Sequence, residues 1–256
     1  MSAYEPREYW TRVAEEIGRR PGPNVIAGLD TPFYEFKRKK FLREFLHSIP
    51  ASGATIVEIG CGPGGNLIEL AKAKPLRLVG CDISPGMLEL ARSNTADAAN
   101  VECFEIDGAR LPFADREFRF AFTATVLQHN LDDAKLDALL GEICRVTDET
   151  VYLFEDSAKR RTQRATAVLR PVEDYARVCR ANGFDLVEAE VLRVYASERT
   201  AGALRRVLNR RPLQAGEEIS ALNATVERAA LPLTRLVDAV GPQPRGLTKM
   251  VFARSR

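Results

Sequence analysis

Three glycines follow a short apolar segment in a pattern that is typical of nucleotide-binding turns. Residues 55–66, TIVEIGCGPGGN, end an apolar run and place Gly60, Gly62 and Gly65 in the GxGxxG spacing. Glycine permits a tight strand-to-helix turn and lets the backbone approach a ligand at the helix N-terminus. Asp82 ends the next apolar segment, 22 residues after Gly60, where a carboxylate can accept hydrogen bonds from both ribose hydroxyls. These residues predict a ribose-containing cofactor; the alternative is a tight turn with a helix-capping aspartate.

The turn alone does not choose the cofactor, because a dinucleotide would use the same turn, helix end and carboxylate. Three motifs narrow the choice: the acidic residue and glycines Glu58, Gly60, Gly62 and Gly64; the segment VGCDISPGM at residues 79–87; and Ile106-Asp107-Gly108-Ala109 followed by Leu111-Pro112-Phe113. Together they span roughly residues 55–156. This set resembles the motifs of the class I S-adenosylmethionine-dependent methyltransferases, and the resemblance implies S-adenosylmethionine as the cofactor.

The resemblance also implies a role for each motif. Asp82 would bind the ribose, and Asp107 would meet the adenine amino group. Glu58, beneath the glycine loop, suits a cationic ligand better than a pyrophosphate. The backbone of Gly60, Cys61 and Gly62 would contact the methionine portion. The backbone of Gly108 and Ala109 would contact the adenine.

Four more positions are candidates for cofactor contact. Ile83 and Met87 would sandwich the adenine, or would pack in the core as apolar residues at element ends usually do. Arg38 stands where similar methyltransferases carry a basic helix residue that clamps the cofactor carboxylate, a contact that a bidentate guanidinium suits. The alternative for Arg38 is a solvated helix face, because it belongs to the charge run 37–40. Thr125, just after the fourth predicted strand, is the last of these candidates.

Two residues are candidates for acid–base chemistry. His129 follows the fourth predicted strand, residues 118–124, and ligands of parallel sheets lie beyond the carboxyl ends of the strands. An imidazole with a pKa of about 6.5 suits the removal of a proton from a substrate hydroxyl. The alternative is a histidine that caps the next helix or bonds the backbone. Glu155 is the second candidate base; it and Asp156 would otherwise pair with the basic residues of segment 159–164.

The elements that must position these residues alternate between strands and helices. The pattern predicts strands at residues 55–59, 76–81, 101–106, 118–124, 150–154, 185–192 and 247–252. It predicts helices at residues 4–20, 33–46, 67–73, 86–94, 134–146 and 172–182, the first of them ended by Pro21, Gly22 and Pro23. Such alternation is typical of a parallel sheet with crossover helices. We therefore expect an α/β, Rossmann-like fold with a seven-stranded, mostly parallel sheet and helices on both faces.

The length of 256 residues fits one domain with added segments. We expect an N-terminal helical cap at 1–50, a cofactor-binding core at 51–192, a helical lid inserted at 193–246 and the last core strand at 247–256. The formal charge of +2 divides into 25 basic and 30 acidic residues through Leu192, and 12 basic and 5 acidic residues after it. A basic, apolar lid would favour an anionic or lipid-like methyl acceptor. The alternative is an amphipathic helix packed on the body, with its arginines in water. The arginines concerned are Arg199, Arg205, Arg206, Arg210 and Arg211.

The composition of the chain limits the classes of partner that we expect. Hydrophobic residues make up 45% and charged residues 28% of the chain, as in ordinary globular proteins. No apolar stretch reaches the about 18 residues of a membrane span, and the N-terminal residues carry mixed charge rather than a signal-peptide pattern. The basic residues lack the interleaved aromatics of a nucleic-acid surface. Five cysteines without a CxxC pair and only two histidines predict reduced thiols and no metal centre.

We therefore expect a cytoplasmic enzyme that transfers a methyl group to an oxygen of a small metabolite, with carbon and nitrogen as less favoured targets. One alternative is an NAD(P)-dependent oxidoreductase, which the missing Tyr-x-x-x-Lys pair disfavours. The other is a non-catalytic module that binds the cofactor. No residue pattern indicates the acceptor or the oligomeric state.

Overall fold

The computed structural model describes residues 4–20, 25–28, 31–209 and 219–255. The helices are α1 (Pro6–Gly18), α2 (Pro32–Glu44), α3 (Gly65–Ala71), α4 (Pro85–Asn94), α5 (Asp133–Val146), α6 (Val172–Ala181), α7 (Tyr195–Leu208) and α8 (Ala221–Val240). The strands are β1 (Thr55–Ile59), β2 (Arg77–Asp82), β3 (Val101–Glu105), β4 (Phe118–Ala124), β5 (Thr147–Ala158), β6 (Thr162–Gln163), β7 (Val168–Leu169), β8 (Phe184–Val191) and β9 (Arg245–Arg254). The expected end of the first helix, at Pro21, Gly22 and Pro23, lies outside the described residues.

Seven of the strands form one sheet in the order β3-β2-β1-β4-β5-β9-β8. The five strands from β3 to β5 are parallel. Strand β9 enters between β5 and β8 and is antiparallel to both. The predicted α/β, Rossmann-like fold with a seven-stranded, mostly parallel sheet is confirmed.

The central strands are buried on both faces, which explains why they are apolar runs without alternation. In β1, Ile56 and Val57 point to opposite faces and belong to two different apolar clusters. The crossover helices start at sequence signals that satisfy their free N–H groups. Ser84 accepts a hydrogen bond from the Met87 N–H at the start of α4, and Asp132 accepts from Ala134 at the start of α5.

Three features differ from the expected elements. Strand β5 continues to Ala158, beyond the predicted residue 154, because β9 pairs along it as far as Arg245 opposite Ala158. The short hairpin of β6 and β7 was not predicted, since two-residue strands leave no periodic pattern. The arginine- and leucine-rich segment forms two separate helices, α7 and α8, which pack against each other and against α2.

Candidate functional site

A cavity of about 450 Å³ lies beyond the carboxyl ends of β1, β2 and β4. This is where a parallel sheet of this order binds its ligands. The fold gathers twelve of the fourteen predicted site residues in its wall: Arg38, Glu58, Gly60, Cys61, Gly62, Asp82, Ile83, Met87, Asp107, Gly108, Thr125 and His129. The other two, Ala109 and Glu155, are not part of the lining.

The glycine loop is tied to the end of the neighbouring strand. The N–H groups of Gly60 and Cys61 both donate to the Cys81 carbonyl oxygen, at 2.7 and 2.8 Å. Gly62 N–H donates to Asp82 Oδ2 at 2.8 Å, and Ser84 N–H donates to Asp82 Oδ1 at 2.9 Å. Burial raises the pKa of Asp82, against these backbone donors, which favour the carboxylate. The loop and the Asp82 carboxylate therefore hold each other in place at the cavity wall.

Two of the loop glycines, Gly60 and Gly65, lie so close to neighbouring atoms that a Cβ would clash with them. Gly60 has a φ of +76°, and a Cβ there would lie 2.3 Å from Val126 Cγ2. A Cβ on Gly65 would lie 2.1 Å from the carbonyl oxygen of Val25. The N-terminal segment 25–28 thus runs directly over the loop and closes that side of the cavity.

A chain of polar side chains links helix α2 to strand β1 beneath the loop. Arg38 Nη1 donates to Asn66 Oδ1, and Asn66 Nδ2 donates to Glu58 Oε1 at 2.6 Å. Glu58 is buried, which raises its pKa to about 8. Its second oxygen, Oε2, has no hydrogen-bond partner among the described residues. A buried carboxylate oxygen without a donor, in a cavity that also holds a guanidinium, suits a ligand that carries both an ammonium and a carboxylate.

The predicted adenine loop is a tight turn built on Asp107. Its Oδ1 accepts the N–H groups of Ala109 and Arg110, at 2.8 and 2.9 Å. These bonds lower the pKa of Asp107, which is exposed at the cavity edge. The Ala109 N–H is therefore already bonded within the turn. Gly108 lies against Ile83, whose Cδ1 would be 3.4 Å from an added Cβ.

His129 lies on the opposite wall of the cavity. Its Nδ1 is 2.6 Å from the Thr166 carbonyl oxygen, which can only accept, so the proton is on Nδ1 and Nε2 is left as an acceptor. Burial lowers the pKa of His129, so the ring is neutral near pH 7. Trp10 contacts the imidazole edge-to-face, with ring centroids 5.0 Å apart. The same wall includes Thr125, whose φ of +61° is rare for a β-branched residue and typical of functional sites.

Glu155 is placed differently from our expectation. It is fully buried and accepts hydrogen bonds from Thr123 Oγ1, Val126 N–H and Gln128 N–H, at 2.7, 3.1 and 3.3 Å. Burial raises its pKa to about 7. Because Thr123 lies near the end of β4 and the Val126 and Gln128 N–H groups follow that strand, Glu155 ties the segment after β4 to the sheet.

The expected pairing of Glu155 and Asp156 with the basic segment 159–164 was wrong. Glu155 has no ion pair among the described residues, and Asp156 Oδ1 instead faces Lys37 Nζ at 3.8 Å. Arg161 of the basic segment bonds Asp133 on α5. The reason is that Glu155 and Asp156 lie within β5, which continues to Ala158, so neither carboxylate is on the exposed basic segment that follows.

Several cavity residues were missed by sequence reasoning. Lys37 lines the wall beside Arg38 although we assigned it to a solvated run. Burial opposes the charge of Lys37, yet the carboxylates of Asp156 and Glu198 raise its pKa. Trp10 and Asn66 also line the cavity. Of these residues, Asn66 was the one that the sequence could most readily have indicated, since it directly follows the glycine loop.

The insertion does not reach the cavity in the described part of the chain. No described residue between 193 and 246 belongs to the lining, and α7 and α8 lie behind α2. Arg205 is taken up by an ion pair with the buried Glu227 at 2.9 Å. Arg210 and Arg211 lie outside the described residues. The cavity is covered instead from the N-terminal side, by Trp10, segment 25–28 and α2.

The described residues hold neither a metal-binding cluster nor a membrane-spanning helix. No group of histidine, cysteine and carboxylate side chains in them is arranged to hold a metal ion. None of their helices is long and apolar enough to cross a membrane.

Residues 56–150 match the family model described as a methyltransferase domain. A curated relative, the O-methyltransferase cnsE of Penicillium expansum, is 32% identical over 99 residues, which are 38% of this chain and 36% of that protein. A tRNA (carboxymethyluridine(34)-5-O)-methyltransferase, alkbh8 of Xenopus tropicalis, is 29% identical over 103 residues, 40% of this chain and 15% of that protein. The first three curated relatives are aligned over only 43%, 36% and 42% of their own lengths.

Solved structures share the whole fold at low sequence identity. The magnesium protoporphyrin IX methyltransferase ChlM of Synechocystis PCC 6803, solved with bound S-adenosylmethionine, has a TM-score of 0.62, 15% identity and full coverage of both chains. The [4+2]-cyclase SpnF has a TM-score of 0.63 and 15% identity, with 96% of this chain and 92% of that chain covered. Residues 56–150 thus match a methyltransferase domain and the chain shares the fold of these solved structures, in agreement with the resemblance of its motifs to the class I S-adenosylmethionine-dependent methyltransferases. S-adenosylmethionine is the cofactor of this class.

Proposed function

We propose that the protein transfers a methyl group from S-adenosylmethionine to an oxygen of a small metabolite. The observation that carries this proposal is one cavity that combines the unpartnered Oε2 of Glu58, the fixed carboxylate of Asp82 and the acceptor nitrogen of His129. The first two suit the two ends of an adenosyl amino acid. The third suits a group that loses a proton.

We assign the cofactor contacts by charge and position. Glu58 would hold the ammonium and Arg38 the carboxylate of the methionine portion, because they lie together beneath the glycine loop. Asp82 would accept from the ribose hydroxyls with the lone pairs that its two backbone donors leave free. Ile83, Met87 and Asp107 would surround the adenine. When bound, S-adenosylmethionine supplies an electrophilic methyl group on a sulfonium.

We propose that His129 is the general base. Its Nδ1–H is fixed by the Thr166 carbonyl, so Nε2 is oriented and neutral, ready to take the proton of an acceptor hydroxyl. Such a base favours oxygen over carbon as the methylated atom. The O-methyltransferase among the curated relatives supports the same choice.

We propose a small acceptor that combines an anionic group with an apolar body. Lys37 and Lys135 provide cations in the cavity wall, and Trp10, Leu139 and Leu247 provide apolar surface. This places the origin of anion selectivity in the cavity lysines rather than in the arginines of the insertion. A volume of about 450 Å³ closed by α1 and α2 favours a metabolite over an RNA, although one relative is a tRNA methyltransferase. We also keep the cytoplasm as the proposed location, supported by five cysteines that are all unpaired.

Calorimetry tests the cofactor assignment. The protein should bind S-adenosylmethionine and not a nicotinamide dinucleotide, and Asp82→Ala should abolish binding. Asp97→Ala, an exposed aspartate on the loop after α4, is the matched control and should bind normally. Binding of the dinucleotide in place of S-adenosylmethionine would support the oxidoreductase alternative.

A turnover assay tests the acid–base proposal. Formation of S-adenosylhomocysteine is measured with pairs of neutral and anionic forms of one hydroxylated scaffold. His129→Ala should lower kcat by about 10²–10⁴-fold with little change in cofactor affinity, whereas the exposed His47→Ala should not. Lys37→Gln should reduce the preference for the anionic form. Full turnover by His129→Ala would end the general-base proposal, and cofactor binding without turnover of any acceptor would favour a non-catalytic module.

A further inference from the structure

Helix α8 has an inner face that is polar: its buried residues are Asn223, Glu227 and Asp238, and the two acids are hydrogen-bonded. Glu227 on this face bonds Arg205 of α7 and also accepts from the Phe33 N–H of α2. Asp238 accepts from Ser197 Oγ at 2.6 Å and from the Ala196 N–H. Both acids of the helix are thus buried against α2 and α7, where they orient α8 on the body.

The outer face of α8 is apolar. Leu233, Leu236, Val237 and Val240 follow the i, i+3, i+4, i+7 spacing that places residues along one line of a helix. They are 68%, 68%, 48% and 87% exposed, and Leu222, in the first turn of the same helix, is 63% exposed. Single exposed leucines are ordinary, but a stripe along a 20-residue helix is typical of an interaction surface.

The exposed charges in the described parts of α7 and α8 have one sign. In the described residues of α7 and α8, every exposed charged side chain is an arginine: Arg199, Arg206, Arg228 and Arg235. The two acids of α8 are buried, as described above, so they do not offset this charge at the surface. Arg235 rests on the ring of Phe36 in α2, 5.1 Å from its centroid, so the basic charge continues from α8 towards α2.

We propose that this face, formed by the outer sides of α7 and α8, seats on the surface of an anionic lipid bilayer. An apolar stripe on one side of a helix, with arginines as the exposed charges elsewhere on it, is the pattern of helices that lie in the plane of the membrane interface. A second copy of the chain fits less well, because a two-fold contact would bring the same arginines together without an exposed acid from the described residues of α7 and α8 to compensate them.

The placement of this face relates it to the cavity. Helix α8 packs directly on α2, and α2 supplies Tyr34, Lys37, Arg38 and Phe41 to the cavity wall. A protein seated through α8 would therefore hold its cavity one helix away from the lipid. That position suits an acceptor that partitions into the bilayer, but the docking itself does not depend on the proposed methyl transfer.

Vesicle co-sedimentation of the full chain tests the proposal. Vesicles of phosphatidylcholine alone are compared with vesicles of phosphatidylcholine and phosphatidylglycerol in equal amounts, at low and high salt. Binding should require the anionic lipid and weaken with salt. The double variant Leu236→Ser, Val240→Ser should lower the partition coefficient by at least about tenfold, and Arg228→Gln by about fivefold.

The matched control is Leu76→Ser, an equally exposed leucine (72%) on the loop before β2, which should bind as the wild type does. Thermal unfolding and S-adenosylmethionine binding of each variant show that the fold is intact and are independent of lipid. Equal binding to neutral vesicles, or unchanged binding by the double variant, would overturn the proposal. A dimer in lipid-free solution that the double variant abolishes would show that a second copy is the occupant instead.

Discussion

The most direct consequence of the buried Glu58 is that cofactor binding should release a proton. With a pKa of about 8, Glu58 is protonated in most molecules at pH 7. Its free Oε2 would have to be ionised to pair with the ammonium of S-adenosylmethionine, an α-amino group that is itself largely cationic at that pH. The fraction protonated sets the release from Glu58 at about 0.9 proton per ligand at pH 7.

The same coupling sets the pH dependence of affinity. If only the ionised form binds, the dissociation constant should fall about ninefold from pH 6 to pH 7, because each step up in pH removes a proton that binding would otherwise have to displace. Titration calorimetry in phosphate and in Tris, buffers with different ionisation enthalpies, measures the proton release directly.

Variants isolate the contribution of Glu58. Glu58→Gln should bind more weakly, with no proton release and a flat pH dependence over this range. Glu89→Gln, an exposed position on α4, should behave as the wild type. An equal heat in both buffers for the wild type, or an unchanged proton release in Glu58→Gln, would refute the assignment of Glu58 to the ammonium.

Two further substitutions test the scaffold. Gly65→Ala would place a Cβ 2.1 Å from the Val25 carbonyl oxygen, so we expect the free energy of unfolding to fall by about 1–3 kcal/mol and cofactor binding to weaken. The control Gly202→Ala in α7, where an added Cβ has nothing within 4 Å, should be neutral or stabilising. A Gly65→Ala variant with unchanged stability would show that segment 25–28 does not cover the loop. For Glu155, a pKa raised to about 7 means that the folded state keeps a proton that the unfolded state has lost, so its contribution to stability falls as the pH rises from about 4.5 to 7. The free energy of unfolding in urea should therefore shift by about 3 kcal/mol in favour of Glu155→Gln, relative to the wild type, over that pH range. The exposed control Glu149→Gln should show no such shift. An unchanged difference between Glu155→Gln and the wild type would contradict the raised pKa.

The fold and the cofactor loop were predictable because their signals are local. The strand-to-helix turn at Gly60 and the carboxylate of Asp82 lie at strand ends that the apolar pattern marks, and parallel strands bring such ends to one edge of the sheet. The motif residues therefore converge once the strand order is right. Asp107 uses its side chain to close its own turn with the Ala109 N–H, and the contact of the Ala109 backbone with the adenine stays a prediction.

The residues that sequence reasoning misplaced depend on contacts between distant segments. Four consecutive cations at 37–40 must point to different sides of a helix, so Lys37 and Arg38 reach the cavity while Lys39 and Lys40 pair with Glu35 and Glu44. Glu155 looks like a surface acid beside a basic segment, but the antiparallel β9 extends the sheet past it. The insertion was expected over the cavity, and nothing in its periodicity says which side of α2 it packs on.

The place of β9 in the sheet has a consequence for the order of folding. Strand β8 pairs only with β9 in the described sheet, and β9 joins it to β5. Until β9 is in place, β5 and β8 each present an additional open edge that is able to pair with another molecule. The last strand along the chain thus joins β8 to a sheet whose cofactor end, β1 to β5, is paired without it. Loss of a dozen C-terminal residues would remove β9 and leave the edge of β5 open to aggregation.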